Sequence, residues 1–353
     1  MTLSILKLFA RGSMDKTPGS ASKMIRGCFR QTLIGAVTVV VLLTALELIL
    51  RLYGFGDPIL YVNDPVVGYY PAPNQNITRR GRKVITNRFG MRAPDYPAEK
   101  KPGNFRILML GDSTLWGGTL LDQEQIYPRI LEKSLNRNLG GKKVEIMNMG
   151  VNSWGPFHML RYVMKFGVFD SDLVIICAPK IDIHRGCYEI VRLPFFCVGR
   201  PPRLALEEIF LHLFLRYRMR LINRPSPQSM EHRSRMGMKT FVKLAAYLEK
   251  AGCEVFVEIL PSRTAGTSDT VPSGERKKVD QLRRLLEAGG YSTGFPAGLF
   301  KGKGKLDELY FDECHPNWKA HRIFAEYLKD RIVGHGKQFR EWANKPPGDI
   351  NKN

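Results

Sequence analysis

The stretch Phe105-Arg-Ile-Leu-Met-Leu-Gly-Asp-Ser-Thr-Leu-Trp-Gly-Gly118 decides the fold. A short apolar run, Ile107 to Leu110, stops abruptly at Gly111-Asp112-Ser113, and a helix-like segment, Gln123–Leu139, follows. A serine at the end of a buried strand sits where the N–H groups of the next helix converge. There a hydroxyl can attack a carbonyl and leave the resulting oxyanion supported.

Outward from this stretch the same alternation repeats. Strands are expected at Phe105–Leu110, Val144–Asn148, Leu173–Cys177 and Glu254–Leu260, and helices at Gln123–Leu139, Pro156–Phe166, Ser234–Ala251, Glu275–Ala288 and Pro316–Ile332. Continuous apolar strands separated by amphipathic helices imply a parallel sheet covered on both faces, a doubly wound α/β domain over 104–335. Its ligand site belongs beyond the strands' C-terminal ends. Between 185 and 236 the alternation breaks. Phe210, Leu211, Phe214, Leu215 and Tyr217 recur there at helical spacing, so the insertion reads as a helix packed on the core or as a lid. Residues 54–103 are rich in turn formers and read as a spacer with a small β-hairpin around Lys83-Val84-Ile85-Thr86. Residues 336–353 read as a polar tail.

No charge interrupts Gln31 to Leu46, and after Glu47 the apolar run resumes through Leu48-Ile49-Leu50 to Leu52-Tyr53. With Glu47 and Arg51 near one interface, 31–53 supplies the ~20 residues that cross a hydrocarbon core. No small-residue cleavage site follows, so an uncleaved signal anchor is expected rather than a removed signal peptide. Lys7, Arg11, Lys16, Lys23, Arg26 and Arg30 precede it, which places 1–30 in the cytoplasm and the remainder in the periplasm or cell envelope. Met24 offers an alternative start.

Across 353 residues the formal charge is +21, with 44% hydrophobic and 25% charged residues. The basic residues are scattered and no zinc-finger or RNA-binding signature accompanies them, so no nucleic-acid partner is expected. A bilayer or an acidic glycan suits the charge better. The six cysteines form no CxxC pair, and neither a glycine-rich dinucleotide fingerprint nor a P-loop occurs, so no metal and no cofactor are expected. Cys187 and Cys197 flank one loop and read either as a disulfide or as free thiols.

A serine hydroxyl needs a base, and the base needs a partner that fixes its tautomer. Asp312 and His315, spaced i, i+3, supply both, with Pro316 expected to open the last helix. Asp112 is expected to bond the turn that presents Ser113, and Asn148 to finish its strand. His321 is expected to pack, and His184 to face solvent. Trp116 and Trp154 read as core or as sugar-stacking rings.

Gly111-Asp112-Ser113, Gly150 after the second strand and Asp312-x-x-His315, in that order, resemble the SGNH (GDSL) hydrolase superfamily. Glu47-Leu-Ile-Leu-Arg51-Leu and Asn87-Arg-Phe-Gly-Met-Arg92 resemble its membrane-anchored bacterial members. The resemblance, covering roughly 40–335, implies a flavodoxin-like three-layer α/β/α sandwich after one transmembrane helix. It implies Ser113 as nucleophile, His315 as base, Asp312 as its partner, and an oxyanion hole from the N–H groups of Ser113 and Gly150. One position departs: Ile181 stands where the family places an asparagine whose amide is the third oxyanion donor. Lys180, Asn152 or a shifted loop are the open substitutes. The expected function is a membrane-anchored serine esterase acting through an acyl-enzyme on O-acyl esters of envelope or exported glycans, with lipid esters next. The alternatives are a polysaccharide O-acyltransferase and a catalytically impaired glycan-binding or scaffold protein.

Overall fold

A computed structural model describes residues 18–139, 141–185, 197–221, 227–267, 273–305 and 308–345. Cys187 lies outside them, and with it the question of its pairing with Cys197. The chain divides into two units, the first ending at Leu52 and the second beginning at Tyr53.

The first unit is a helix, α1 (Pro18–Leu52). Its segment Ile25–Leu52 contains an 18-residue window of mean hydropathy 2.6 and is long and apolar enough to cross a membrane. Glu47 and Arg51 form an i, i+4 ion pair at 2.7 Å, which mutes the two charges within the apolar run.

The second unit begins with β1 (Leu60–Asp64), β2 (Gly68–Pro71), β3 (Asn76–Arg79) and β4 (Arg82–Ile85). These form two antiparallel pairs, β1 with β2 and β3 with β4. The alternating elements follow as β5 (Phe105–Gly111), α2 (Ser113–Trp116), α3 (Tyr127–Leu135), β6 (Val144–Gly150), α4 (Pro156–Phe166) and β7 (Leu173–Pro179). Then come β8 (Cys197–Val198), which pairs parallel with β1, α5 (Ala205–Leu221) and α6 (Pro227–Lys250). The chain continues through β9 (Glu254–Leu260), α7 (Arg263–Thr267), α8 (Ser273–Ala288), β10 (Ser292–Gly294), α9 (Trp318–His335) and α10 (Lys337–Asn344).

The central sheet has the order β10-β9-β7-β5-β6, all parallel. Counted within the sheet this is the doubly wound order 2-1-3-4-5, with the switch point at the C-terminal end of β5. All seven residues of β5 are buried, as a strand covered on both faces requires. Leu108 and Leu110 join the core under α4, α6 and α8. Ile107 and Met109 join the core under α3, α9 and α10. The period-2 alternation thus feeds two cores, and the three-layer sandwich is the one the sequence predicts.

Three expected boundaries move. The single helix expected over Gln123–Leu139 is a short 3₁₀ turn at Gln123–Gln125 followed by α3. The chain is extended at Ile126 (ψ 143°), and Pro128 sits in the first turn of α3, where its missing N–H forgoes no intrahelical bond. Pro316 does not open the last helix. It forms an antiparallel bridge with Tyr310, and Asn317 caps α9 by accepting from the N–H groups of Lys319 and Ala320. The expected polar tail contains α10, whose Phe339 is buried and meets Phe105 edge to face.

Candidate active site

Ser113 opens α2 directly beyond β5, where a first-turn N–H has no intrahelical acceptor. Asp112 is the N-cap: its Oδ1 accepts from Thr114 N at 2.8 Å and from the Thr114 hydroxyl at 2.7 Å. Gly150 lets α2 sit this close to the sheet, since a Cβ there would lie 2.5 Å from Trp116 N. Asp112 is therefore a turn-former, as expected.

The loop 309–317 brings the distant pair to this point. Phe311 N donates to His315 O and Asn317 N to Leu309 O, both within 3 Å, so the intervening residues form a tight turn. Inside it Asp312 Oδ1 accepts from the N–H groups of Cys314 at 2.9 Å and His315 at 2.8 Å. Its second oxygen lies 2.7 Å from His315 Nδ1, and His315 Nε2 lies 2.9 Å from Ser113 Oγ. Ser113 and a pair whose histidine lies 202 positions beyond it thus form one chain of hydrogen bonds. Partial burial alone would raise the Asp312 carboxyl, but the bonds from His315 and from the two backbone N–H groups outweigh it and hold it at about 2. It is an anion at any neutral pH, able to keep the His315 proton on Nδ1 and leave Nε2 facing the serine.

Ser113 and His315 line a cavity of about 270 Å³ with Thr114, Gly117, Thr119, Leu120, Asn152 and Phe311. Two features bear on an oxyanion. The N–H of Gly150, expected to point into the hole, donates to Asn148 Oδ1 at 2.9 Å. Asn152, on the loop after β6, faces the same cavity. Its Nδ2 donates to the Tyr61 hydroxyl at 3.0 Å, and the Tyr69 hydroxyl donates to the Asn152 backbone carbonyl at 2.7 Å. A side-chain amide has two N–H groups, so one donor of Asn152 is left over from the Tyr61 bond. Ser153 beside it has φ 62°, a left-handed conformation that is uncommon for serine.

Ile181 lies in a 3₁₀ turn, Lys180–His184, at the end of β7. The next residue, Asp182, is fully buried and points to Arg185, 2.9 Å away. The same guanidinium nitrogen donates to Asp112 Oδ2 and to the Trp154 carbonyl, each at 3.0 Å. Burial and the Asp112 charge push the Asp182 carboxyl well up, with Arg185 partly offsetting them. Nothing in the sequence pattern pointed to this Asp112–Arg185–Asp182 cluster beneath the nucleophile.

Several side residues resolve. Trp154 is buried, donates to Tyr69 O at 2.9 Å and stacks on His158, and Trp116 is likewise buried, so both are core. His321 is buried with Nδ1 accepting from Tyr127 N at 2.9 Å, and burial, then the Arg92 charge, depress it to about 3. It packs, as expected, in its neutral form. His184 does not face open solvent: its Nδ1 lies 2.6 Å from the Ser234 hydroxyl. Arg92, from the motif before the first strand of the sheet, is fully buried. It donates to the carbonyls of Trp116, Gly118 and Leu121 at 2.7 to 2.8 Å, tying down the loop that borders the cavity.

Asp312, Cys314 and His315 present potential metal-ligand atoms within 4.8 Å of one another. Both ring nitrogens of His315 are already engaged. Burial, then the charges of Asp312 and Asp112, push the Cys314 thiol up to about 12, so the thiolate that would bind a metal is disfavoured. The donor set suits proton transfer better than metal binding.

No protein-family model matches this chain, and no curated protein matches it. Among solved structures it is similar to an α/β hydrolase enzyme from the metagenome of Lake Arreo, at 14% identity over 68% of this chain and 97% of the other, with TM-score 0.43. It is also similar to a catalytic mutant of an acetylxylan esterase from Geobacillus stearothermophilus, at 13% identity over 69% and 95%, with TM-score 0.41. A third is a GDSL-like lipase from Bacteroides thetaiotaomicron, at 11% identity over 65% and 88%, with TM-score 0.37. The assignment of the fold rests on the strand order and register described above.

Proposed function

We propose that this chain is a membrane-anchored serine esterase of the SGNH type, acting outside the cytoplasm on O-acyl esters of envelope or exported glycans. The observation that carries the reading is the unbroken hydrogen-bond chain Ser113 Oγ, His315 Nε2, His315 Nδ1, Asp312 at the switch point of the sheet. In the reaction Ser113 Oγ attacks the ester carbonyl while His315 Nε2 takes its proton, and Asp312 stabilises the imidazolium. The tetrahedral oxyanion is held by the Ser113 N–H and the second Nδ2–H of Asn152, which takes the role of the asparagine replaced by Ile181. The C–O bond to the alcohol breaks as His315 returns the proton, leaving an acyl-Ser113 ester. Water, deprotonated by His315, then releases the carboxylic acid and restores the serine.

An apolar helix at Ile25–Leu52 supports the anchor, and the basic residues before it support an extracytoplasmic domain. A cavity of about 270 Å³ suits a short acyl group better than a long chain. Solved structures similar to this chain include an esterase active on acetylated mannans, which agrees with a glycan ester. Acetate release from acetylated xylan or mannan, compared with p-nitrophenyl esters of rising chain length, tests the substrate. Turnover of short esters that disappears in Ser113→Ala supports the reading. Equal turnover in that variant overturns it. Appearance of the acyl group on a glycan acceptor in place of free acid would favour the O-acyltransferase alternative.

A further inference from the structure

The insertion helix α5 turns apolar side chains outward. Its inner side is fixed. Ala205 and Glu208 are buried, and Glu208 accepts from Gly56 N at 2.6 Å and pairs with Arg79 at 2.6 Å. Burial alone would raise the Glu208 carboxyl, but the bonds from His212, Arg79 and the Gly56 N–H outweigh it and hold it at about 2. The helix is thus clamped to the start of the second unit by a charge that stays ionised.

On its outer side Phe210, Leu213 and Phe214 are exposed to 68%, 61% and 48%. The two phenylalanine rings stack on each other, with centroids 6.4 Å apart and planes at 8°. The sequence predicted a stripe that packs on the core or closes as a lid. Phe210, Leu213 and Phe214 stand exposed, and none of the three lines the Ser113 cavity. Single exposed apolar residues are ordinary, but a row of aromatic and leucine side chains on one helix face marks a contact surface.

Position and charge say what covers it. Between Leu52, the end of the apolar helix, and Gly56, which Glu208 holds, the chain has only Tyr53, Gly54 and Phe55. The later half of α5 carries Arg216, Arg218 and Arg220, a density of positive charge suited to anionic headgroups.

We infer that α5 lies in the plane of the membrane interface, with its Phe210, Leu213 and Phe214 face set at the headgroup–acyl boundary. Apolar side chains set at that boundary, with basic residues on the same helix near the headgroups, hold a helix to a membrane surface. It rests on reading α1 as the anchor, and it adds a second attachment. A domain held only by a short tether can swing about it, whereas one held at two points keeps a fixed face toward the membrane.

The test uses the full chain reconstituted in phosphatidylcholine–phosphatidylglycerol vesicles whose acyl chains are brominated near the headgroup, so that they quench indole emission. Phe214→Trp places a reporter on the stripe. Val333→Trp, at an exposed position on α9, is the control. With α5 at the interface, the emission added by Trp at 214 is mostly lost in brominated vesicles, and that added at 333 is retained. Replacing Phe210 and Leu213 by Glu in the Phe214→Trp background should restore the emission. A chain that floats with the vesicles while Trp at 214 stays unquenched overturns the inference and leaves the anchor intact. A chain that does not float overturns both.

Discussion

Arg185 and Asp112 are joined at 3.0 Å beneath the nucleophile, and the same guanidinium nitrogen reaches buried Asp182 at 2.9 Å. One cation thus serves two carboxylates, one of which caps the helix that carries Ser113. Removing it strands both. Breaking a buried pair this way costs about 3 kcal/mol, so Arg185→Met should lower the urea midpoint of the detergent-solubilised chain and reduce ester turnover along with it. A variant with wild-type stability would show that the cluster is slack.

Asp182 makes the complementary prediction. In an unfolded chain it loses its proton near the ordinary 3.8, but burial and Asp112 push it well above that in the fold. As pH rises past about 4 the unfolded state sheds the proton first, so Asp182 costs stability that increases until its folded carboxyl titrates. Asp182→Asn removes that cost. Its unfolding midpoint should exceed the wild type's by a margin that is small at pH 4 and larger at pH 8, as read by thermal melts at both values.

For Asp312 the sign is reversed. Its carboxyl is held at about 2 in the fold against an ordinary 3.8. The stabilisation it gives is complete above about pH 4 and is lost as pH falls through about 2. Any fall in activity between pH 8 and pH 5 therefore belongs to another group. Asp312→Asn should lower kcat by about 10² to 10⁴ with little change in KM. An Asn variant with kcat within threefold of wild type would remove Asp312 from the triad.

Asn152 is where the reading departs furthest from the family pattern. If its free Nδ2–H holds the oxyanion, Asn152→Ala should lower kcat by about 10² to 10³ and leave KM nearly unchanged. Tyr61→Phe, which removes only the acceptor that orients Asn152, should cost far less. Equal losses in both variants would point to packing rather than to a donor.

Much of this was legible in the sequence, for physical reasons. The strands of a doubly wound sheet are buried on both faces, so Ile107 to Leu110 announces itself as an uninterrupted apolar run. Gly111-Asp112-Ser113 and Asp312-x-x-His315 are local patterns whose side chains act within their own turns. What was not legible depends on tertiary contact. Residues Ser292–Gly294 form an edge strand that is short and weakly apolar. The outward turn of Phe210 and Phe214 follows from the clamp on Glu208, made 152 residues away in sequence. Arg185 meets Asp112 only once β7 lies beside β5. Gly150 was expected to donate to substrate, and no pattern in the chain reveals that Asn148 occupies its N–H. Arg92 belonged to a recognisable motif, but its role in holding three loop carbonyls appears only in the folded chain.

The most direct measurement is labelling of the purified full-length chain with a fluorophosphonate, followed by mapping of the adduct. The wild type should be labelled at Ser113, Ser113→Ala should be blank, and His315→Ala should react about 10³-fold more slowly or not at all. A wild-type chain that fails to label, or a Ser113→Ala variant that labels at the wild-type rate, would contradict Ser113 as the nucleophile of this site.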